Sequence, residues 1–145
     1  FLRLYTPANS NLTNPTAHQV PAETLLNGTV WSDSPSTINE FANFTTFTNF
    51  FMVPRGETLT TAYHYTLPQS IIRQEENGQF VYNLWLRKQA GQYTEPIRIN
   101  VTLPEGSTLL QVHTTAEATV HNEANNIEIS LNLQADTQIS VTFSQ

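Results

Sequence analysis

The chain has 145 residues and a formal net charge of -6, with 12 acidic against 6 basic side chains; that balance repels phosphate and argues against nucleic-acid or anionic-membrane partners. It has no cysteine, which excludes disulfide frameworks, thiolate zinc sites and cysteine nucleophiles. Only 12% of residues are charged, about half the usual share, while Thr and Ser fill about a fifth of the chain, as on many extracellular β-domains.

In chain order, strands are expected near residues 1–6, 25–32, 39–53, 57–67, 79–88, 94–103, 109–121, 126–133 and 137–143. The segment Thr6–Pro21, rich in Asn, Pro and Thr, reads as an irregular loop. Between 41 and 53, Phe41, Phe44, Phe47, Phe50, Phe51, Met52 and Val53 fall at both parities. Either both faces are covered there or a bulge shifts the register, and core packing is expected for the cluster.

Leu59, Tyr63, Tyr65 and Leu67 share one face of the next predicted strand, and Phe80, Tyr82, Leu84 and Leu86 form a stripe on the following one. Asn77-Gly78 between strand-like runs marks a tight turn, because both residues tolerate positive φ. Pro54-Arg55-Gly56 and Pro104-Glu105-Gly106 each end a strand.

The clearest alternation is Ile97, Ile99, Val101 and Leu103 against Arg98, Asn100 and Thr102. Ile127, Ile129, Leu131 and Leu133 repeat the rhythm, as do Ile139, Val141 and Phe143. No window carries a capped helical repeat. Eight or nine short strands with frequent turns predict an all-β fold, a two-sheet antiparallel β-sandwich of immunoglobulin-like character. It is expected to occupy 1–145 as a single domain. The chain opens at Phe1 with no initiator Met, no basic leader and no membrane-spanning apolar stretch, so it is expected to be a C-terminal fragment of a longer protein.

Chemistry is sparse. Glu23, Asp33, Glu40, Glu57, Glu95, Glu105, Glu117, Glu123, Glu128 and Asp136 are scattered singly, and Glu75-Glu76 flank a turn. Nothing pairs two carboxylates as glycoside hydrolysis requires. His18, His64, His113 and His121 have no metal-ligand spacing, although a turn at 116–118 brings His113 and His121 within reach across a hairpin. There is no serine elbow, phosphate loop or dinucleotide fingerprint. No catalytic residue, cofactor or metal is therefore expected. The remaining candidates are carbohydrate-stacking aromatics: Trp31 after the Asn27-Gly28 turn, Trp85 at the opposite parity to Tyr82 and Leu84, and Tyr93, although both tryptophans are expected to pack in the second sheet face or under a loop. Asn11, Asn27, Asn43 and Asn100 head N-x-Thr sequons, which chance explains in a chain so rich in Asn and Thr.

Several longer strings stand out: Arg3-Leu4-Tyr5-Thr6-Pro7, the run Phe50–Thr58, Tyr63-His64-Tyr65-Thr66-Leu67-Pro68, and Tyr82–Gly91, which includes Lys88-Gln89-Ala90-Gly91. Val101-Thr102-Leu103-Pro104 and Leu131–Asp136 complete the set. In this order the motifs resemble the C-terminal domain of a family of uncharacterised bacterial cell-envelope proteins. Ala90 stands where such proteins often have proline. The resemblance implies a β-rich part on the extracellular face of the bacterial envelope, in a parent protein anchored by an N-terminal membrane segment. It implies no activity and no catalytic residue. The expected function is a non-catalytic structural or protein-interaction module, whose partners are other regions of the parent or other envelope proteins. The alternative is a carbohydrate-binding module for envelope or extracellular polysaccharide. Lys88-Gln89-Ala90-Gly91 is expected to close a hairpin, and Lys88, the only lysine, to be structural or solvent-facing.

Overall fold

Twelve strands and two single-turn 3-10 segments, Ala22–Thr24 and Gln69–Ile71, form the regular structure of residues 1–31 and 35–145, the part described by this computed structural model. The fold is all-β and its sheets are antiparallel, as the period-two pattern predicts. Asp33 and the end of the predicted strand 25–32 lie outside the described residues. The strands group into two compact units, Phe1–Gln69 and Ser70–Gln145, where the sequence reading treats 1–145 as one.

The first unit contains β1 (Leu2–Pro7), β2 (Asn11–Leu12), β3 (Ser36–Phe41), β4 (Phe44–Asn49) and β5 (Tyr65–Thr66). They form a sheet in the order β1-β4-β3 and a short β2-β5 ribbon. The single strand expected over 39–53 is instead a hairpin that reverses at Ala42-Asn43. The reversal explains why the phenylalanines fall at both parities. It also corrects the expectation of a phenylalanine core: only Phe47 is fully buried, whereas Phe41, Phe44, Met52 and Val53 are exposed.

Central strand β4 is buried at five consecutive residues, Thr45 to Asn49, so both of its faces are covered. Four of the five are polar, and most of their hydrogen-bonding groups are matched, as burial requires. Thr6 Oγ1 donates to the Thr45 carbonyl at 2.8 Å, the Ser36 and Thr48 hydroxyls bond at 2.9 Å, and Asn49 Nδ2 donates to the Thr16 carbonyl at 3.1 Å.

Two predicted strands are mostly loop. Near 25–32 the Asn27 side chain accepts the Thr29 N–H at 3.1 Å, and among the described residues there only Trp31 pairs, in a bridge with Val20. Over 57–67 only Tyr65–Thr66 joins a ladder. The rest is held by side-chain and loop bonds, with the Ala62 N–H donating to Thr16 Oγ1 and the Thr13 N–H to the His64 carbonyl. Thr and Asn hydroxyls and amides thus replace ladder partners.

The second unit follows the alternation closely. It contains β6 (Ile72–Gln74), β7 (Phe80–Leu86), β8 (Glu95–Thr102), β9 (Thr108–Thr114), β10 (Ala118–Glu123), β11 (Asn126–Leu133) and β12 (Thr137–Ser144). One sheet runs β6-β7-β12-β9 and the other β10-β11-β8. Ile127, Ile129, Leu131 and Leu133 from β11 share one core with Ile139, Val141 and Phe143 from β12. Phe80, Leu84, Leu86, Ile97, Ile99 and Val101 pack around them. Two sheets burying their apolar faces on each other make this unit a β-sandwich.

Asn77-Gly78 closes the β6–β7 hairpin as expected: Gly78 sits at φ +80°, and Asn77 Oδ1 accepts the Gln79 N–H at 3.0 Å. Two other expectations change. Lys88–Gly91 closes no hairpin, because β7 and β8 belong to different sheets. The strand expected over 109–121 breaks into β9 and β10 at a bend, where Thr114 Oγ1 both accepts the Ala116 N–H and donates to its carbonyl.

Candidate functional site

Strand β7 turns Trp85 to the side opposite its apolar stripe, because successive strand side chains alternate. Trp85 is 55% exposed and lies opposite Gln138 in the ladder, with Asn83 opposite Ser140 one step along the same side. Two residues on, the Arg87 guanidinium lies over the indole, 4.9 Å from the ring centroid. Arg87 is fixed in turn by Asp136, which accepts its Nη1 at 2.6 Å and the Lys88 N–H at 2.8 Å. These two donors hold the Asp136 carboxyl below its ordinary range, the guanidinium bond being the larger cause. An anion, a cation and an indole are therefore linked in sequence on one exposed edge.

The loop beyond is stapled by the only lysine. Lys88 Nζ donates to the carbonyls of Gln89 at 3.2 Å and Gln92 at 2.9 Å, while Gly91 takes φ +80°. The next residue, Tyr93, is 91% exposed. Lys88 has the structural part expected of it, and Tyr93 stands on a braced loop.

Trp31 belongs to the first unit, is 46% exposed, and meets Phe50 edge-on at 6.3 Å. A second aromatic group in that unit escaped the sequence reading as an exposed feature. Tyr5 stands 6.2 Å from Phe41 and 6.4 Å from Phe44, all three of them exposed. The signal available was two phenylalanines flanking a two-residue Ala-Asn turn, which puts both rings at a hairpin tip.

Acid–base and metal chemistry gain nothing from the geometry. His113 lies opposite Ser140 and His121 opposite Glu128, in different sheets, so they are not paired across a hairpin, and both are exposed. Among the described residues, no three His, Asp or Glu side chains are grouped to hold a metal ion. His18 packs its ring against Phe51 at 5.2 Å. Burial pushes the Tyr63 phenol up, and its hydroxyl approaches the Asn49 amide without a well-formed hydrogen bond. The carboxylates in ion pairs, Glu40 with Arg3 and Glu128 with Arg98, lie on exposed strand positions. Comparison with family models, with curated proteins and with solved structures returns no match for this chain.

Proposed function

We propose that the chain is a non-catalytic extracellular module of a bacterial cell-envelope protein that makes protein contacts through the Trp85–Arg87 edge of its second unit. The observation that carries this reading is the Asp136–Arg87–Trp85 chain, with exposed Tyr93 on the loop that follows β7. Trp, Arg and Tyr are the residue types that dominate protein hot spots, and a guanidinium already oriented by a carboxylate loses less freedom on docking. The motif resemblance to envelope proteins supports the address and the passive role. Immunoglobulin-like character is part of the same reading: the second unit layers four strands on three, as constant-type sandwiches do, with its last strand between β7 and β9.

A photoreactive residue at position 85 of the parent protein, irradiated in intact cells, tests the reading. A discrete protein adduct is expected, and it should weaken with Asp136→Ala. Equal labelling from position 100, on the other sheet, overturns it.

A second reading is recognition of polysaccharide. It is favoured by the amides of Asn83 and Gln138 beside the half-exposed indole and by the uncharged polarity of the chain. Glycan-array binding by the isolated chain, lost in Trp85→Ala, supports that reading over protein contact.

A further inference from the structure

A groove in the first unit lies outside the tryptophan candidates. It runs between the turn Ala8–Ser10 and the β3–β4 tip, has a volume of about 290 Å³, and is lined chiefly by Asn9, Ser10, Thr37, Asn39, Phe41 and Phe44. No described residue lining it is charged. The side-chain amides of Asn9 and Asn39 make no hydrogen bond to another described residue, and each offers two donors and an acceptor at the groove.

The walls are held in place before anything binds. The Ala8 N–H donates to the Asn43 carbonyl at 3.2 Å, tying the turn to the hairpin tip. The Ser10 N–H and Oγ both donate to the Pro7 carbonyl, at 3.2 and 2.7 Å. Tyr5 props both phenylalanines, meeting Phe44 nearly edge-on at 82°. Asn9 takes φ +69°, a left-handed backbone that non-glycine residues adopt at some strain and that recurs at ligand clamps.

Ring faces, free amides and hydroxyls without a charge suit one class of ligand. A sugar presents an apolar C–H face and a rim of hydroxyls, which aromatic rings and amides satisfy together. Phosphates, uronates and acidic peptides need a counter-charge that this groove lacks. Its volume sits at the low end for small-molecule sites, about 300 Å³, which suits a short ligand.

We propose that the groove binds one or two residues of an uncharged saccharide, with Phe41 and Phe44 against the sugar face and Asn9 and Asn39 on its hydroxyls. The inference rests on the polysaccharide reading and moves its site from the tryptophans to the first unit.

The test is an amide NMR titration of the whole chain with neutral trisaccharides of glucose, mannose, galactose and N-acetylglucosamine, and with trigalacturonate. At least one neutral sugar should shift the amides of residues 8–10 and 37–45. Phe44→Ala and Asn39→Ala should each weaken that binding roughly tenfold, the loss expected for one removed contact of this kind. Asn39 is exposed, so its variant carries the test even where Phe44→Ala melts without cooperativity. Absence of shifts anywhere in the chain with every neutral sugar overturns both the site and the polysaccharide reading for the isolated chain. Shifts that cluster around Trp85 and vanish in Trp85→Ala overturn the site alone. Tighter binding of trigalacturonate than of any neutral sugar overturns the assigned ligand class.

Discussion

The two units solve the same problem with different interiors. In the second, strands β11 and β12 send Ile and Leu inward and Ser, Asn and Gln outward, and the dry layer between the sheets is almost wholly aliphatic. In the first, β4 is buried along five consecutive residues, four of which carry hydroxyls or an amide. Three aromatics of that unit, Tyr5, Phe41 and Phe44, are exposed, while Thr46 is as fully buried as Phe47. The difference teaches that alternation reports burial only where one face is wet. A central strand covered on both sides loses the rhythm, and hydrogen bonds between Thr, Ser and Asn then fix the packing.

The sharpest test of this contrast is the pair of largest expected losses. Phe47→Ala removes the one fully buried aromatic of the first unit and should cost about 3–5 kcal/mol. Ile129→Ala, opposite Ile99 and Val120 in the second unit, should cost about 2–5 kcal/mol by the same cavity argument. Both are read from denaturant melts of the whole chain. A loss below about 1 kcal/mol at either position removes that residue from a core.

Polar substitutions separate the two interiors more finely. Thr46 Oγ1 is buried without a hydrogen-bond partner, so Thr46→Val should be neutral or stabilise the first unit by about 1 kcal/mol. Thr48→Val removes the bond to Ser36 and should destabilise it by about 1 kcal/mol. Equal effects of the two swaps contradict a core organised by hydrogen bonds. Tyr65, about a third exposed and packed 5.4 Å from Phe47, should cost about 1 kcal/mol as Ala, the value of one aromatic pair.

The smallest effect expected is that of pH. Asp136 is held charged by Arg87 and the Lys88 N–H, so its folded pKa lies below the unfolded one. Its contribution is complete above the unfolded value and disappears as pH falls through the lower, folded value. Melts of the wild type and Asp136→Asn should therefore converge only in that acid range. Their difference should be constant at neutral pH.

How much of this was legible in the sequence varies with the unit. Ile97, Ile99, Ile127, Ile129 and Ile139 alternate cleanly, and β8, β11 and β12 appear within a residue or two of the expected bounds. Around Asn27 and Ala62 the sequence reads as strand, yet the Asn27 side chain and the Thr16 hydroxyl take the bonds a ladder needs. Parity set Trp85 opposite the apolar stripe, but packing was the expected fate of both tryptophans, and the 55% exposure of the Trp85 indole corrects it. The clamp of Asp136 on Arg87 was not legible, because that contact joins residues 49 apart in the chain.

Composition and the two-residue rhythm determined by themselves that this chain is all-β, that its aliphatic strands bury one face, and where the Asn77-Gly78 turn falls, because these depend on neighbours in sequence. Which strands share a sheet, that the phenylalanines at the β3–β4 tip face outward, and that an uncharged groove forms beside them were decided only by tertiary structure. Pairing partners and coverage of a face are set by segments distant in the chain, and no local pattern encodes them.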